Sequence, residues 1–219
     1  MPAFGRGATE DPGEPLMSRR LLVILALLAV TFAVLTGVAV RRGVLTPKSE
    51  TAAVGGPFQL VDQTGRKVDQ SVLKGKWSAV FFGFTNCPDA CPTTLFALGQ
   101  TETLLGSRAA DVQTVFISVD PARDTPERIA AYLATEAFPK RILGLTGTAA
   151  QVDAVAKAYH VYYQKAGEGA GYSVDHSTFT YLMNPRGRFA CVIPYNETPQ
   201  QIDARIQAAM AKGDNAESC

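Results

Sequence analysis

The stretch WSAVFFGFTNCPDACPTTL, residues 77–95, decides the fold. Residues 77–84 form a short apolar run rich in aromatic and β-branched side chains, the pattern of a strand buried on both faces. Beyond Pro92 the side chains of Leu95, Leu98, Leu104 and Leu105 recur near helical spacing, with Pro92 suited to a first turn and Gly106 to a stop. The prediction is a strand, a loop carrying Cys87, and a helix that begins at Cys91. Because Cys91 precedes a proline, its backbone is biased away from the α region, so the segment from Cys87 to Cys91 is expected to be a loop rather than a helical turn. Unpaired N–H groups and the positive dipole end of the helix favour thiolate at such a place, which suits metal binding and disulfide attack alike.

The same alternation continues downstream. Residues 112–119 read as a second strand, and TPERIAAYLATEAF after it as a helix capped by Thr125, with Pro126 at its first position and Ile129, Leu133 and Phe138 on one face. Residues 141–145 read as a third strand and 148–160 as a helix with Val152, Val155 and Ala156 inward. A looser stretch of glycine and polar residues follows. Strands at 178–183 and 189–195 flank Asn184-Pro185-Arg186-Gly187, a hairpin by its turn chemistry, before a last helix at 199–211. Upstream, PFQLVDQTGRKVDQSVL alternates around Thr64-Gly65 and reads as a lead-in hairpin. The order βαβα, βα, ββα gives an α/β fold, a thioredoxin-like mixed sheet flanked by helices.

Ahead of this domain lies LLVILALLAVTFAVLTGVAV, residues 21–40, which carries no charge. At helical rise it spans roughly 30 Å, the thickness of a hydrocarbon core. Arg19-Arg20 and Arg41-Arg42 bracket it, as expected where a spanning helix meets headgroups. A cleaved signal peptide is the rival, but its apolar region is shorter and ends at small residues, so the length favours an uncleaved anchor. Basic residues are balanced across the helix, and the positive-inside rule is undecided. An N-terminal segment too short to fold favours export of the C-terminal part, and Glu10, Asp11 and Glu14 do not suit a mitochondrial transit peptide. The expectation is a bacterial inner-membrane protein with one spanning helix and its C-terminal domain in the periplasm. Its parts are a short segment at 1–20, the anchor at 21–40, a tether at 41–54, the domain at 55–212 and a flexible tail at 213–219. The net charge of +1, with no basic cluster longer than a pair, argues against nucleic acid as a partner.

Four cysteines, Cys87, Cys91, Cys191 and Cys219, are too few for a disulfide scaffold in a domain this large. Two thiolates are soft ligands that favour Cu(I), zinc or iron–sulfur, and an imidazole would complete a low-coordinate copper site. Only His160 and His176 can supply one. His176 lies in VDHSTFTYLM, on a loop just ahead of a strand, and can face the cysteines, whereas His160 ends a helix, where the dipole suffices to explain it. A plain disulfide between Cys87 and Cys91, and a solvated His176, are the simpler alternatives. Cys191 in FACVIPY reads as a buried small hydrophobe and Cys219 as part of a frayed end.

At these residues the chain resembles the Sco/SenC family, copper-binding assembly proteins of cytochrome c oxidase. The resemblance rests on CPDACPTTL, on SVDPARDTP at 118–126, on Asp175-His176-Ser177 and on the turn with Pro185 and Gly187, and it extends over nearly all of 55–211. It implies that Cys87, Cys91 and His176 bind copper, as Cu(I) or Cu(II), and that metal or reducing equivalents pass to the binuclear copper centre of oxidase subunit II. A periplasmic copper donor or a thiol reductant is the further partner it implies. Asp120 and Asp124 match acidic positions of the family, where support of the ligands or contact with a partner is expected; helix capping by Asp124 and its neighbours is the other reading. Family members often carry histidine before the first cysteine, where this chain has Asn86. The competing function is a thiol–disulfide oxidoreductase that keeps the oxidase cysteines reduced. Such enzymes commonly space their cysteines more closely and place proline ahead of the late strand, in the segment where this chain has His176-Ser177. A peroxidase of this fold would need threonine where Phe84 stands, and a closed zinc site would need a fourth ligand.

Overall fold

A computed structural model describes residues 19–41, 54–169 and 171–219. The short N-terminal segment up to residue 18 and the tether at 42–53 lie outside the described residues. Helix α1 (Arg19–Arg41) is long and apolar enough to cross a membrane, with a mean hydropathy of 2.8 over Arg20–Val38 and none of that span buried. Its polar side chains suit an apolar solvent: the Thr31 and Thr36 hydroxyls donate to carbonyls one turn back, at Leu27 and Phe32.

The second unit is built on a mixed sheet. Strand β3 (Trp77–Gly83) lies in its interior, parallel to β4 (Val112–Ser118) in a register running from Trp77 opposite Val112 to Gly83 opposite Ser118. Strand β5 (Ile142–Thr146) continues the parallel part, and β1 (Gln59–Asp62) with β2 (Lys67–Asp69) closes that side antiparallel. On the other side β8 (Thr180–Met183) and β9 (Phe189–Ile193) form the antiparallel hairpin. The order is therefore β2-β1-β5-β4-β3-β8-β9. Every residue of β3 is buried, as its unbroken apolar run predicts for a strand covered on both faces.

The covering helices start where the sequence caps them. Thr125, Thr148 and Thr198 each accept a backbone N–H in front of α3 (Pro126–Leu133), α4 (Ala149–Ala158) and α5 (Pro199–Ala211), and Gln151 and Gln201 complete capping boxes in the last two. Helix α2 (Ala90–Leu105) packs against α5, and α3 against β5. Phe81, Phe82, Phe116, Ile117 and Tyr159 fill the core with essentially no exposure.

Several expectations are corrected. Cys91 belongs to the first turn of α2, with Asp89 at the cap position and Pro92 third in the helix. A proline there removes only an N–H that has no intrahelical acceptor, so the bias it places on Cys91 is overcome. Helix α3 stops at Leu133, and Phe138 reaches the core from beyond it. The stretch read as loose contains an antiparallel ribbon, β6 (Tyr163–Ala166) against β7 (Ser173–His176). His176 thus ends a strand rather than sitting on a loop. Cys191 and Cys219 form a disulfide, their Cα atoms 5.8 Å apart. The last residues are held down with it: Asn184 donates to the Ala216 carbonyl at 3.1 Å, and Ala216 is buried. Neither the frayed end nor the isolated hydrophobe describes these cysteines.

Candidate metal centre

The site begins with Gly83, the last residue of β3. A Cβ there would lie 2.7 Å from the Cys91 sulfur and 3.0 Å from the Phe81 and Phe116 rings, so only glycine lets that sulfur rest on the strand end. Cys91 is completely buried and Cys87 is half-buried at the surface of the loop. The chain turns back after Phe84, whose carbonyl accepts the Cys87 N–H at 3.2 Å. The Cys91 backbone N–H then points at the Cys87 sulfur at 3.4 Å, the dipole end of α2 acting as the sequence predicts.

His176 enters from the ribbon. Its Nδ1 lies 2.8 Å from the Ser177 carbonyl oxygen, which can only accept, so Nδ1 carries the proton and Nε2 presents a lone pair. Nε2 is 3.6 Å from the Cys91 sulfur. The imidazole stands edge-on to Phe84 at 5.7 Å and to Phe81 at 6.2 Å, which fixes its plane. The ligand atoms of Cys87, Cys91 and His176 all lie within 4.8 Å of one another, the sole such cluster among the described residues.

The two thiols are made unequal by their surroundings. A hydrogen bond from Cys91 outweighs burial and, with the backbone N–H groups of Cys91 and Asp89, holds the Cys87 thiol down at about 4. Cys91 moves the other way, pushed far up by the proton it shares with Cys87 and by its burial. In the metal-free state one thiolate is thus exposed to reaction and a protonated partner stands behind it.

Asp124 is fully buried and accepts from the Thr85 backbone N–H at 3.0 Å, the Thr85 hydroxyl at 2.6 Å and the Ser118 hydroxyl at 2.6 Å. It braces the start of the cysteine loop, while the helix cap is Thr125, so the capping reading of Asp124 is withdrawn. Asp120, 3 % exposed, binds Arg123 and the Tyr172 hydroxyl, each at 2.5 Å. Both carboxylates are buried, and neither joins the ligand cluster. Arg128 also grips the loop, donating to Thr85 Oγ1 at 3.0 Å and to Asn86 Oδ1 at 2.5 Å. His160 is exposed, in a left-handed conformation (φ 56°) just past α4, and takes no part. Thr85, Ser118, Arg123, Arg128 and Tyr172 were assigned no role from the sequence; the polar run around 118–128 signalled Ser118, Arg123 and Arg128, and nothing marked Thr85 or Tyr172.

A thioredoxin-like sheet that offers two thiols from a helix start and an imidazole from an added ribbon defines a dithiol–imidazole protein, built for a soft cation or for thiol exchange. Comparison with known proteins agrees, the SCO1/SenC family model matching residues 46–211. The chain belongs to that family. It is 42 % identical over 154 residues to the mitochondrial SCO1 homolog 1 of Arabidopsis thaliana, covering 69 % of this chain and 45 % of that protein. Against the SenC protein of Rhodobacter capsulatus it is 42 % identical over 156 residues, covering 70 % of this chain and 69 % of that one. A solved structure of Arabidopsis thaliana ScoI with copper bound superposes with a TM-score of 0.69 at 37 % identity, covering 73 % of this chain and 99 % of that chain. The chain spans less than two thirds of the length of the Arabidopsis and human mitochondrial relatives, 45 % and 65 % respectively.

Proposed function

We propose that this chain is a membrane-anchored copper carrier that holds one ion through Cys87, Cys91 and His176 and hands it to the binuclear copper centre of cytochrome c oxidase subunit II during assembly. The observation that carries this reading is the convergence of two sulfurs and one imidazole nitrogen within 4.8 Å. Two soft donors and an imidazole with its other nitrogen pinned by a carbonyl suit copper in low coordination, and the lack of a fourth ligand among the described residues disfavours a closed zinc site. Copper-bound solved structures at 37 % and 41 % identity support the same choice of metal. The apolar helix α1 supports anchorage in a membrane. The Cys191–Cys219 disulfide supports an oxidising compartment, which in a bacterium like the host of SenC is the periplasm.

A second reading is favoured by one observation, the Cys87 thiol held at about 4 beside a protonated Cys91. In a client disulfide, the Cys87 thiolate attacks one sulfur and the other leaves as a thiolate. Cys91, its proton passing to the departing client thiolate, then attacks the Cys87 sulfur of the mixed disulfide and displaces the remaining client sulfur as a thiolate that takes a proton from water. Two client thiols and an oxidised Cys87–Cys91 pair are left. The two activities are compatible, since the same sulfurs serve each in a different state.

The test is titration of the reduced full-length protein in detergent with Cu(I) against a competing chelator. One ion per chain is expected; Cys87→Ser or Cys91→Ser abolishes tight binding, and His176→Ala weakens it by about 10-fold or more without unfolding the domain. Tight binding that survives loss of either cysteine would defeat the carrier reading. Turnover of disulfides with no copper affinity would install the second reading in its place.

A further inference from the structure

The ribbon that delivers His176 has little hold on the rest of the domain. Of the eight residues in β6 and β7 only Val174 is buried, and an isolated two-stranded ribbon is at best marginally stable in water. Its base is closed by Tyr162 and Ser177, whose backbones and the Ser177 hydroxyl exchange hydrogen bonds of 2.9 and 3.1 Å. Tyr163 is also tied to Asp153 of α4. The far end, at Tyr172, is held by something else.

That attachment is made by the loop between β4 and α3. Arg123 donates from Nη1 to the Tyr172 carbonyl at 2.8 Å, and its guanidinium carbon lies 3.6 Å from the centre of the Tyr172 ring. The Tyr172 hydroxyl donates to one Asp120 oxygen and Arg123 Nε to the other. Asp120 is itself fixed in place, since its backbone N–H donates to the Ser118 hydroxyl that also binds Asp124. The guanidinium lies in addition 5.8 Å from the ring of Phe84, the residue that opens the cysteine loop and meets the His176 imidazole edge-on. One cation therefore touches both the ribbon that carries the nitrogen ligand and the floor on which that ligand rests.

We propose that Asp120, Arg123 and Tyr172 form a clasp that closes the β6–β7 ribbon onto the cysteine loop and so positions His176 for the metal. The inference rests on the reading of Cys87, Cys91 and His176 as ligands. Arg123 is a positioning residue: it touches no ligand atom and acts through Tyr172 and Phe84. A planar fork is needed, because one guanidinium must hydrogen-bond a carboxylate and a carbonyl while stacking on a ring. A lysine supplies the charge but not that geometry.

Two readouts on the full-length protein in detergent test it. In the metal-free state, hydrogen exchange of the amides at 163–166 and 173–176 should accelerate about 10-fold or more in Arg123→Gln and in Tyr172→Phe, while the amides of β3 and β4 keep their protection. With Cu(II) added, nitrogen hyperfine coupling in the electron paramagnetic resonance spectrum reports the imidazole. It should weaken in both variants while the sulfur-to-copper charge-transfer band persists, and Arg123→Lys should not restore it. Tyr172→Phe removes a single hydroxyl and keeps the ring, so it tests the idea even where Arg123→Gln fails to fold. Wild-type ribbon exchange and an unchanged nitrogen signal in Tyr172→Phe and Arg123→Lys would overturn the clasp and leave the ligand set standing. A wild-type protein whose copper signal lacks nitrogen would instead remove His176 from the ligand set.

Discussion

The difference between two sulfurs only a helical turn apart sets what this site does at a given pH. Cys87 is held at about 4, first by the hydrogen bond from Cys91, so it is thiolate at every pH above that value, where an ordinary thiol would be protonated up to about 9.0. Alkylation of the metal-free protein should therefore label Cys87 at a nearly constant rate from pH 8 down to about 5 and lose reactivity only as pH passes below about 4, measured by mass spectrometry of the labelled peptide. An ordinary thiol would instead slow about tenfold for each pH unit. Gly83 is the second decisive residue, because an added methyl would stand 2.7 Å from the Cys91 sulfur. Gly83→Ala should destabilise the domain by about 1–3 kcal/mol in denaturant titration and weaken copper binding with it, since the sulfur must move to make room. The ligands themselves were legible in the sequence: a thiol pair after a buried strand, and one histidine not explained by a helix end. The clasp was not, because Arg123 and Tyr172 meet only through the fold and neither carries a periodic signal.

Elements were legible in proportion to how deeply they are buried. Strands β3 and β4 and the helices with threonine caps announce themselves through apolar runs and start signals, and they appear where those signals place them. The β6–β7 ribbon escaped because β6 buries no residue and β7 one, so no alternation marks it. The Cys191–Cys219 bond escaped for another reason: one partner sits in an apolar strand and the other in a polar end, and pairing cannot be read from spacing. It links positions 28 apart. Closing a loop of that size restricts the unfolded chain by about 3–4 kcal/mol on the chain-entropy model. Cys191→Ser should lower unfolding stability by a comparable amount, read by denaturant titration, and the wild type should fall to the same level when reduced. Copper affinity should change little, because neither sulfur belongs to the ligand cluster.

For the molecule as a whole, the proposed periplasmic side of the domain, which rests on the Cys191–Cys219 disulfide, is open to a direct test. A C-terminal alkaline phosphatase fusion should be active and a fluorescent-protein fusion through the same secretion route dark; the reverse pattern would put the domain in the cytosol. The broad architecture was legible because strand and helix alternate in the order a mixed sheet requires, whereas the fine placement of His176 depended on a ribbon with no sequence signature. Its distance along the chain has a thermodynamic outcome. Cys91 and His176 are separated by 85 positions, so the full ligand set exists only when the chain is native, and a denatured chain can offer the cation no more than a pair of thiols. By mass action the loaded form is then more stable than the empty one, by up to about 4 kcal/mol at a thousandfold excess over the dissociation constant, less whatever the thiol pair of the unfolded chain retains. Calorimetry with and without Cu(I) would read that gap directly. On the carrier reading proposed above, unloading therefore softens the protein, and whatever accepts the ion must compensate for the native-state stability that departs with it.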